Sequence, residues 1–180
     1  VYWWTREFLK RYAETPKMGS EAPVRAGMQT SNNVRFLRLP WEISLCEIDR
    51  RRETDEPGEL FDYKWAAYIK GAAGKSWYDP LDSVILWEKS ALQKQVVYDY
   101  LGSNGGGNGT PSRQFYFMIG AAYSKIGNFF TARKHRFRSV IGDAGASAFT
   151  EDIDNLVCLM NSRISKDILT SFNPTVNFQT

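Results

Sequence analysis

Apolar and polar positions alternate along this chain in short runs rather than in long periodic blocks. Trp4, Phe8, Leu9 and Tyr12 recur at helical spacing, which predicts a helix over 2–14 closed by Pro16. A polar stretch, 15–33, separates it from an alternating run in which Phe36, Leu37 and Leu39 interleave with Arg35 and Arg38. That run predicts a strand over 34–43, as far as Pro40. Further strands are predicted over 61–69, 83–87, 114–119, 129–134 and 137–141, and a short helix over 91–101. Two helices follow, 152–161 and 163–172: Glu151 and Asp152 sit where acids favour a helix start, and Pro174 stops the second. Charged or glycine-rich breaks, 49–58 and 103–110, punctuate the pattern. Strands in runs with helices at the ends predict an α+β fold, a mixed or antiparallel sheet with flanking helices, and there is no internal repeat.

Composition adds bounds. The 180 residues are 43% apolar and 14% aromatic, enough for a core without disulfides or metal. Net charge is only +3, so a basic surface has to come from clustering. Cys46 and Cys158 lie far apart and fit small buried hydrophobes in a reducing cytoplasm. No apolar run approaches the roughly 18 to 20 residues that span a bilayer. The chain opens at Val1 inside a helical pattern and stops just after a turn signal, which predicts a piece of a longer polypeptide.

The segment from Arg113 to Arg138 changes the picture most. Phe115, Tyr116, Phe117, Tyr123, Phe129 and Phe130 are interleaved with Lys125, Arg133, Lys134, Arg136 and Arg138, without an acid. Cations among rings suit a polyanion whose bases also have flat faces. The same pattern also describes a basic hairpin with one aromatic face in the core.

Little else competes as chemistry. Gly71-Ala72-Ala73-Gly74-Lys75-Ser76 ends like a phosphate-binding loop, but position 69 is Ile69 where the spacing requires glycine. It reads better as a turn, with Lys70 and Lys75 within reach of a nucleic-acid backbone. His135 is the only histidine, and zinc spacing and a nucleophile elbow are both lacking. A nuclease signature can be assembled from Asp82 and Glu88-Lys89 across an intervening strand. Trp77, Tyr78 and Trp87 read as core and platform residues rather than base stackers.

Several segments together are similar to a known family. Gly27-Met28-Gln29-Thr30-Ser31-Asn32-Asn33-Val34-Arg35-Phe36-Leu37-Arg38 resembles the Gly-x-x-Thr-Gly-Asp-Asn-x-Arg-Phe-x-Arg segment of large adenine-specific DNA methyltransferases, the BREX-type phage-defence enzymes and their type IIG restriction-modification relatives. Tyr68-Ile69-Lys70-Gly71, Lys75-Ser76-Trp77-Tyr78 and Val84-Ile85-Leu86-Trp87-Glu88 resemble its Tyr-x-Lys-Gly, Lys-Trp-Tyr-Gly and Val-Val-Asn-Trp-Glu run. Phe130-Thr131-Ala132-Arg133 resembles Phe-Ser-Ala-Arg, Leu156 to Ile164 a helix junction containing Leu-Asn-Ser-Lys, and Asn173 to Gln179 the segment Asn-Pro-Thr-Ile-Asn-Phe-Gln. Ser31-Asn32 stands for Gly-Asp, Ser76 is inserted, Asp79 replaces a glycine, and Met118-Ile119 replaces Arg-Pro.

The resemblance implies a helical lead-in over 1–26 from a preceding domain, and a DNA target-recognition domain over 27–180. Its partners would be double-stranded DNA and the methyltransferase domain of the same parent chain, in a bacterial cytoplasm. The Asn-Pro-Pro-Tyr/Phe motif and the glycine-rich loop for S-adenosylmethionine are missing. That cofactor is therefore expected of the parent, with none in this fragment. Phosphate and positioning contacts fall to Lys70, Lys75, Lys125, Arg133, Lys134 and Arg136. Base-edge contacts fall to Gln29, Asn32, Asn33 and Arg35, whose amides and guanidinium suit bidentate pairs. The other reading is a protein-interaction module whose aromatic faces, Trp3 and Trp4 among them, dock onto a neighbouring domain.

Overall fold

The computed structural model of the chain describes residues 4–52, 63–71, 75–101, 110–127 and 130–172. Its architecture is α+β. Helix α1 (Arg6–Glu14) starts where Thr5 accepts the Phe8 amide at 3.1 Å, and it ends before Pro16. One-turn helices α2 (Met18–Glu21) and α3 (Asn33–Phe36) bracket strand β1 (Val24–Arg25). Then come β2 (Leu37–Arg38), β3 (Ile48–Asp49), β4 (Trp65–Ile69), β5 (Trp77–Tyr78) and β6 (Val84–Leu86). Helix α4 (Glu88–Leu101) is interrupted near its start by left-handed Lys89, Ser90 and Ala91. The chain then forms β7 (Ala121–Tyr123), β8 (Ala132–Lys134), β9 (Ser139–Ile141) and β10 (Ser147–Ala148). Helices α5 (Ile153–Asn161) and α6 (Arg163–Phe172) follow.

Two sheets result. The first runs β1-β10-β7-β8-β5, antiparallel except where β5 lies parallel to β8 (Trp77 opposite Arg133, Tyr78 opposite Lys134). The second runs β2-β6-β4, with β3 and β9 laid one after the other, parallel, along the far side of β4. The chain leaves β9 through a tight turn, Asp143–Gly145, and enters β10, so this turn is the corner between the sheets. Backbones approach closely there. A Cβ on Gly145 would stand 2.7 Å from the Ile69 carbonyl oxygen, and one on Gly27 would stand 1.8 Å from that of Ile141.

Between the sheets lies a core of Met28, Tyr68, Ile69, Ile85, Trp87 and Val140. A second core forms where Ile153, Leu156, Val157 and Met160 of α5 cover the alanines of β7, β8 and β10, whose small side chains admit the helix. Asn161 completes that contact. Its amide nitrogen donates to the Ala132 carbonyl (2.8 Å), and its oxygen accepts from the Ala132 N–H (3.0 Å). The amide thereby extends the pairing of β8 beyond the sheet. A third cluster, including Phe36, Ile48, Trp65 and Val84, closes the other face of the second sheet.

Three expectations are corrected. Residues 34–43 are not one strand: Asn32 caps a helical turn, and only Leu37–Arg38 is extended before a 3-10 turn at Pro40. Residues 114–119 are not a strand either, because Arg113–Phe115 is a 3-10 turn between left-handed Ser112 and Phe117. Cys46 and Cys158 are exposed rather than buried, the first in a 3-10 turn and the second on the outer side of α5. Trp3, Phe129 and the predicted features at 53–58, 72–74, 103–109 and 173–179 lie outside the described residues.

His135 is buried between the strands of the first sheet. Its Nδ1–H faces the Met118 carbonyl (3.3 Å), and Nε2 accepts from the Ser147 hydroxyl (2.9 Å). Burial is the main cause that lowers its pKa to about 4. The folded state therefore resists protonation while the unfolded state does not. Stability is fully present above about pH 6.5 and falls as pH drops toward 4, by on the order of 3 kcal/mol. As the chain's one histidine, its ring resonances can be followed alone. A midpoint near 4 is expected in the folded protein, and one near 6.5 would contradict this placement.

Candidate nucleic-acid interface

Strand β8 organises the predicted cations. Its alternation turns Ala132 and Lys134 toward α5 and Arg133 toward the opposite face, where it meets Lys70 and Asp79. Arg133 is only 1% exposed. Its Nε donates to the Asp79 carboxylate at 3.3 Å, and an Nη donates to the Lys70 carbonyl. Asp79 also receives the backbone N–H of Arg136. Burial pushes the Asp79 carboxyl above its ordinary value, against the pull of the Arg133 charge and that amide. Arg133 is thus not a surface cation: it ties both ends of the 70–79 segment to β8.

That segment presents an aromatic platform. Trp77 and Tyr78 are each 57% exposed, although consecutive strand residues ordinarily point to opposite faces. The left-handed backbone at Trp77 (φ 73°) breaks the alternation and leaves both rings open to solvent. The Arg136 guanidinium lies 5.1 Å from the Tyr78 ring centre and 4.9 Å from that of Phe137. Trp87, by contrast, is core, edge-on to Tyr116 and Phe117. Tyr116, Tyr123 and Phe130 are buried as well, so most described rings of 113–138 serve packing and the cations reach the surface separately.

The remaining predicted residues divide into two groups. Gln29 and Lys125 meet on Asp143, at 3.5 Å and 2.8 Å. This pair adjoins the platform's support, because Gly71 packs against Ala144 and Gly145 against Lys70. Asn32, Asn33 and Arg35 form a separate local turn. Asn32 accepts the Arg35 amide at 3.0 Å, Asn33 takes the Thr30 hydroxyl, and Arg35 lies over Phe36. Lys70 is half-exposed, whereas Lys75 pairs with Asp82 (2.9 Å) and Lys134 with Asp154 (3.0 Å). The contributions of Asp79, Asp143 and Asp154 were missed in the sequence, where nothing marks a distant carboxylate as a cation's partner.

The surface has polar and charged groups suited to holding an anion, with an aromatic face between them. Among the described residues no trio of histidine, cysteine or carboxylate side chains stands together as a metal site, and Asp82 of the nuclease signature is held by Lys75. No helix among them is long and apolar enough to cross a membrane.

No family model matches the chain. Over 99% of its length it is 27% identical to the adenine-specific methyltransferase PglX of Lacticaseibacillus casei (strain Zhang), of which it covers 15%. Over its whole length it is 23% identical to the adenine-specific methyltransferase BrxX of Escherichia coli O9:H4 (strain HS), of which it covers 14%. The chain is a distant relative of one stretch of adenine-specific methyltransferases, and spans about a seventh of the length of these curated relatives. Segments that carried the family resemblance touch one another: Arg133 reaches Lys70, and Asn161 grips Ala132.

The Arg133–Asp79 pair should behave as a buried pair does. Asp79→Ala leaves a desolvated guanidinium and is expected to cost about 3 to 5 kcal/mol in chemical unfolding. The double variant Asp79→Leu/Arg133→Met should recover most of that loss, and an additive double variant would contradict the assignment.

Proposed function

We propose that this chain is the DNA target-recognition region of a bacterial adenine-specific DNA methyltransferase, acting in restriction-modification or phage defence. The observation that carries the reading is the solvent-facing platform of Trp77, Tyr78 and Arg136, with Lys75 two residues before β5 and Lys134 of β8 opposite Tyr78. The likeness of the whole chain to part of two adenine-specific methyltransferases supports it. Cations at this surface take phosphate oxygens and set the register of the duplex. Gln29, on the adjoining Asp143 turn, has an amide that suits adenine N6 and N7 in the major groove, and Arg35 suits guanine. Flipping the target adenine and binding S-adenosylmethionine fall to the parent's methyltransferase domain, since this sequence has neither motif.

The alternative, a module that docks onto a neighbouring domain, draws on another surface. Trp4, Phe8, Tyr12 and Phe172 cluster between α1 and α6 beside a cleft of about 620 Å3, with Ile164 exposed at its rim. Both surfaces can operate in one parent chain.

Fluorescence anisotropy with random-sequence duplex DNA across a salt series tests the reading. Binding that weakens steeply with salt is expected. Lys75→Ala/Lys134→Ala/Arg136→Ala should weaken binding and reduce the slope of log K against log salt by about one, the share of Arg136. A folded triple variant with unchanged affinity and slope would overturn the reading of this surface.

A further inference from the structure

Three of the four candidate lysines are already ion-paired. Lys75 is paired with Asp82 at 2.9 Å, Lys125 with Asp143 at 2.8 Å and Lys134 with Asp154 at 3.0 Å. The three aspartates come from separate places in the fold: the approach to β6, the corner turn after β9, and the first turn of α5. Each carboxylate thus cancels, from an independent element, a charge that the net balance of +3 can ill spare. All three aspartate side chains are well exposed, at 50%, 43% and 80%. Water screens such pairs, so they add little stability and open readily. Charged helix starts and solvated loops account for aspartate at these positions, but not for each one being in contact with a lysine of this surface.

We infer that Asp82, Asp143 and Asp154 mask the DNA-facing lysines, so that a duplex is held only by exchanging three internal ion pairs for phosphate contacts. This rests on the DNA-binding reading above and adds a specificity device to it. A masked lysine releases fewer counterions on contact with DNA, and the displaced carboxylate repels the incoming phosphate. Binding to arbitrary sequence is thereby suppressed. A site that also satisfies base-edge groups such as Gln29 supplies the difference needed to open the pairs. Asp143 couples the two directly, because the carboxylate that holds Lys125 also faces the Gln29 amide at 3.5 Å.

The test is binding of random-sequence duplex by the isosteric triple variant Asp82→Asn/Asp143→Asn/Asp154→Asn. A charge-matched control neutralises exposed acids elsewhere: Glu14→Gln/Asp99→Asn/Glu151→Gln. The masked-lysine variant should bind at least about tenfold tighter than wild type at low salt, with a slope steeper by about one per lysine released. The control should change affinity by less than about threefold, with the slope unaltered. Equal tightening in both variants would overturn the inference while leaving the DNA reading intact. If neither wild type nor the triple variant binds, both fall. A second arm needs only one exposed site: Asp82→Asn should tighten binding when Lys75 is present and have no effect in a Lys75→Ala background. The same gain in both backgrounds would overturn masking at that pair.

Discussion

A guanidinium that is 1% exposed has to be neutralised where it lies, and the arrangement of this fold's outer surface follows from the partners that hold Arg133. Its partners are the Asp79 carboxylate and the Lys70 carbonyl, which stand at the two ends of the segment that carries Lys75, Trp77 and Tyr78. One side chain thus fixes β5 against β8 and holds a strained, solvent-facing aromatic pair in place. Asp79 contributes twice, since it also receives the Arg136 amide and so sets the residue whose guanidinium covers Tyr78. The pair's value lies in geometry more than in net energy, because desolvating both charges offsets most of their attraction.

The corner beneath this platform works by close approach. The Asp143–Gly145 turn joins the two sheets, and it lies so near Ile69 and Lys70 that a side chain at Gly145 would collide with backbone. The cations on β8, on the 70–79 segment and after β7 are therefore supported by one compact junction. Alanines in β7, β8 and β10 let α5 settle on the other side of the same sheet, which stiffens the strand from which Arg133 and Lys134 project.

Much of this was legible in residue order. Helices α5 and α6 followed from acids at the first start and an apolar face, and β4 and β6 from short apolar runs between turn signals. Strands β7 and β10 were not, because alanine and serine pair well there but carry no strand preference of their own. Residues 114–119 misled in the opposite direction. Alternating rings suggest a pleat, yet Phe117 adopts a left-handed conformation, and Tyr116 enters the core from a turn. At the candidate interface, residue type pointed to cations and rings. It could not separate Arg133, buried on the inner face of β8, from Arg136, exposed one turn of chain later. That distinction depends on Asp79, which is 54 residues away.

The surface is an aromatic platform whose cations are positioned by one buried and three exposed aspartates, on a chain distantly related to part of adenine-specific methyltransferases. The most direct measurement of where DNA sits is hydrogen–deuterium exchange of this chain with and without a duplex at low salt. The account predicts added protection in β5, β8 and the Asp143–Gly145 turn, with α1 and α6 unchanged. Protection confined to α1 and α6, or none at the β5–β8 edge under conditions where the duplex is bound, would contradict it.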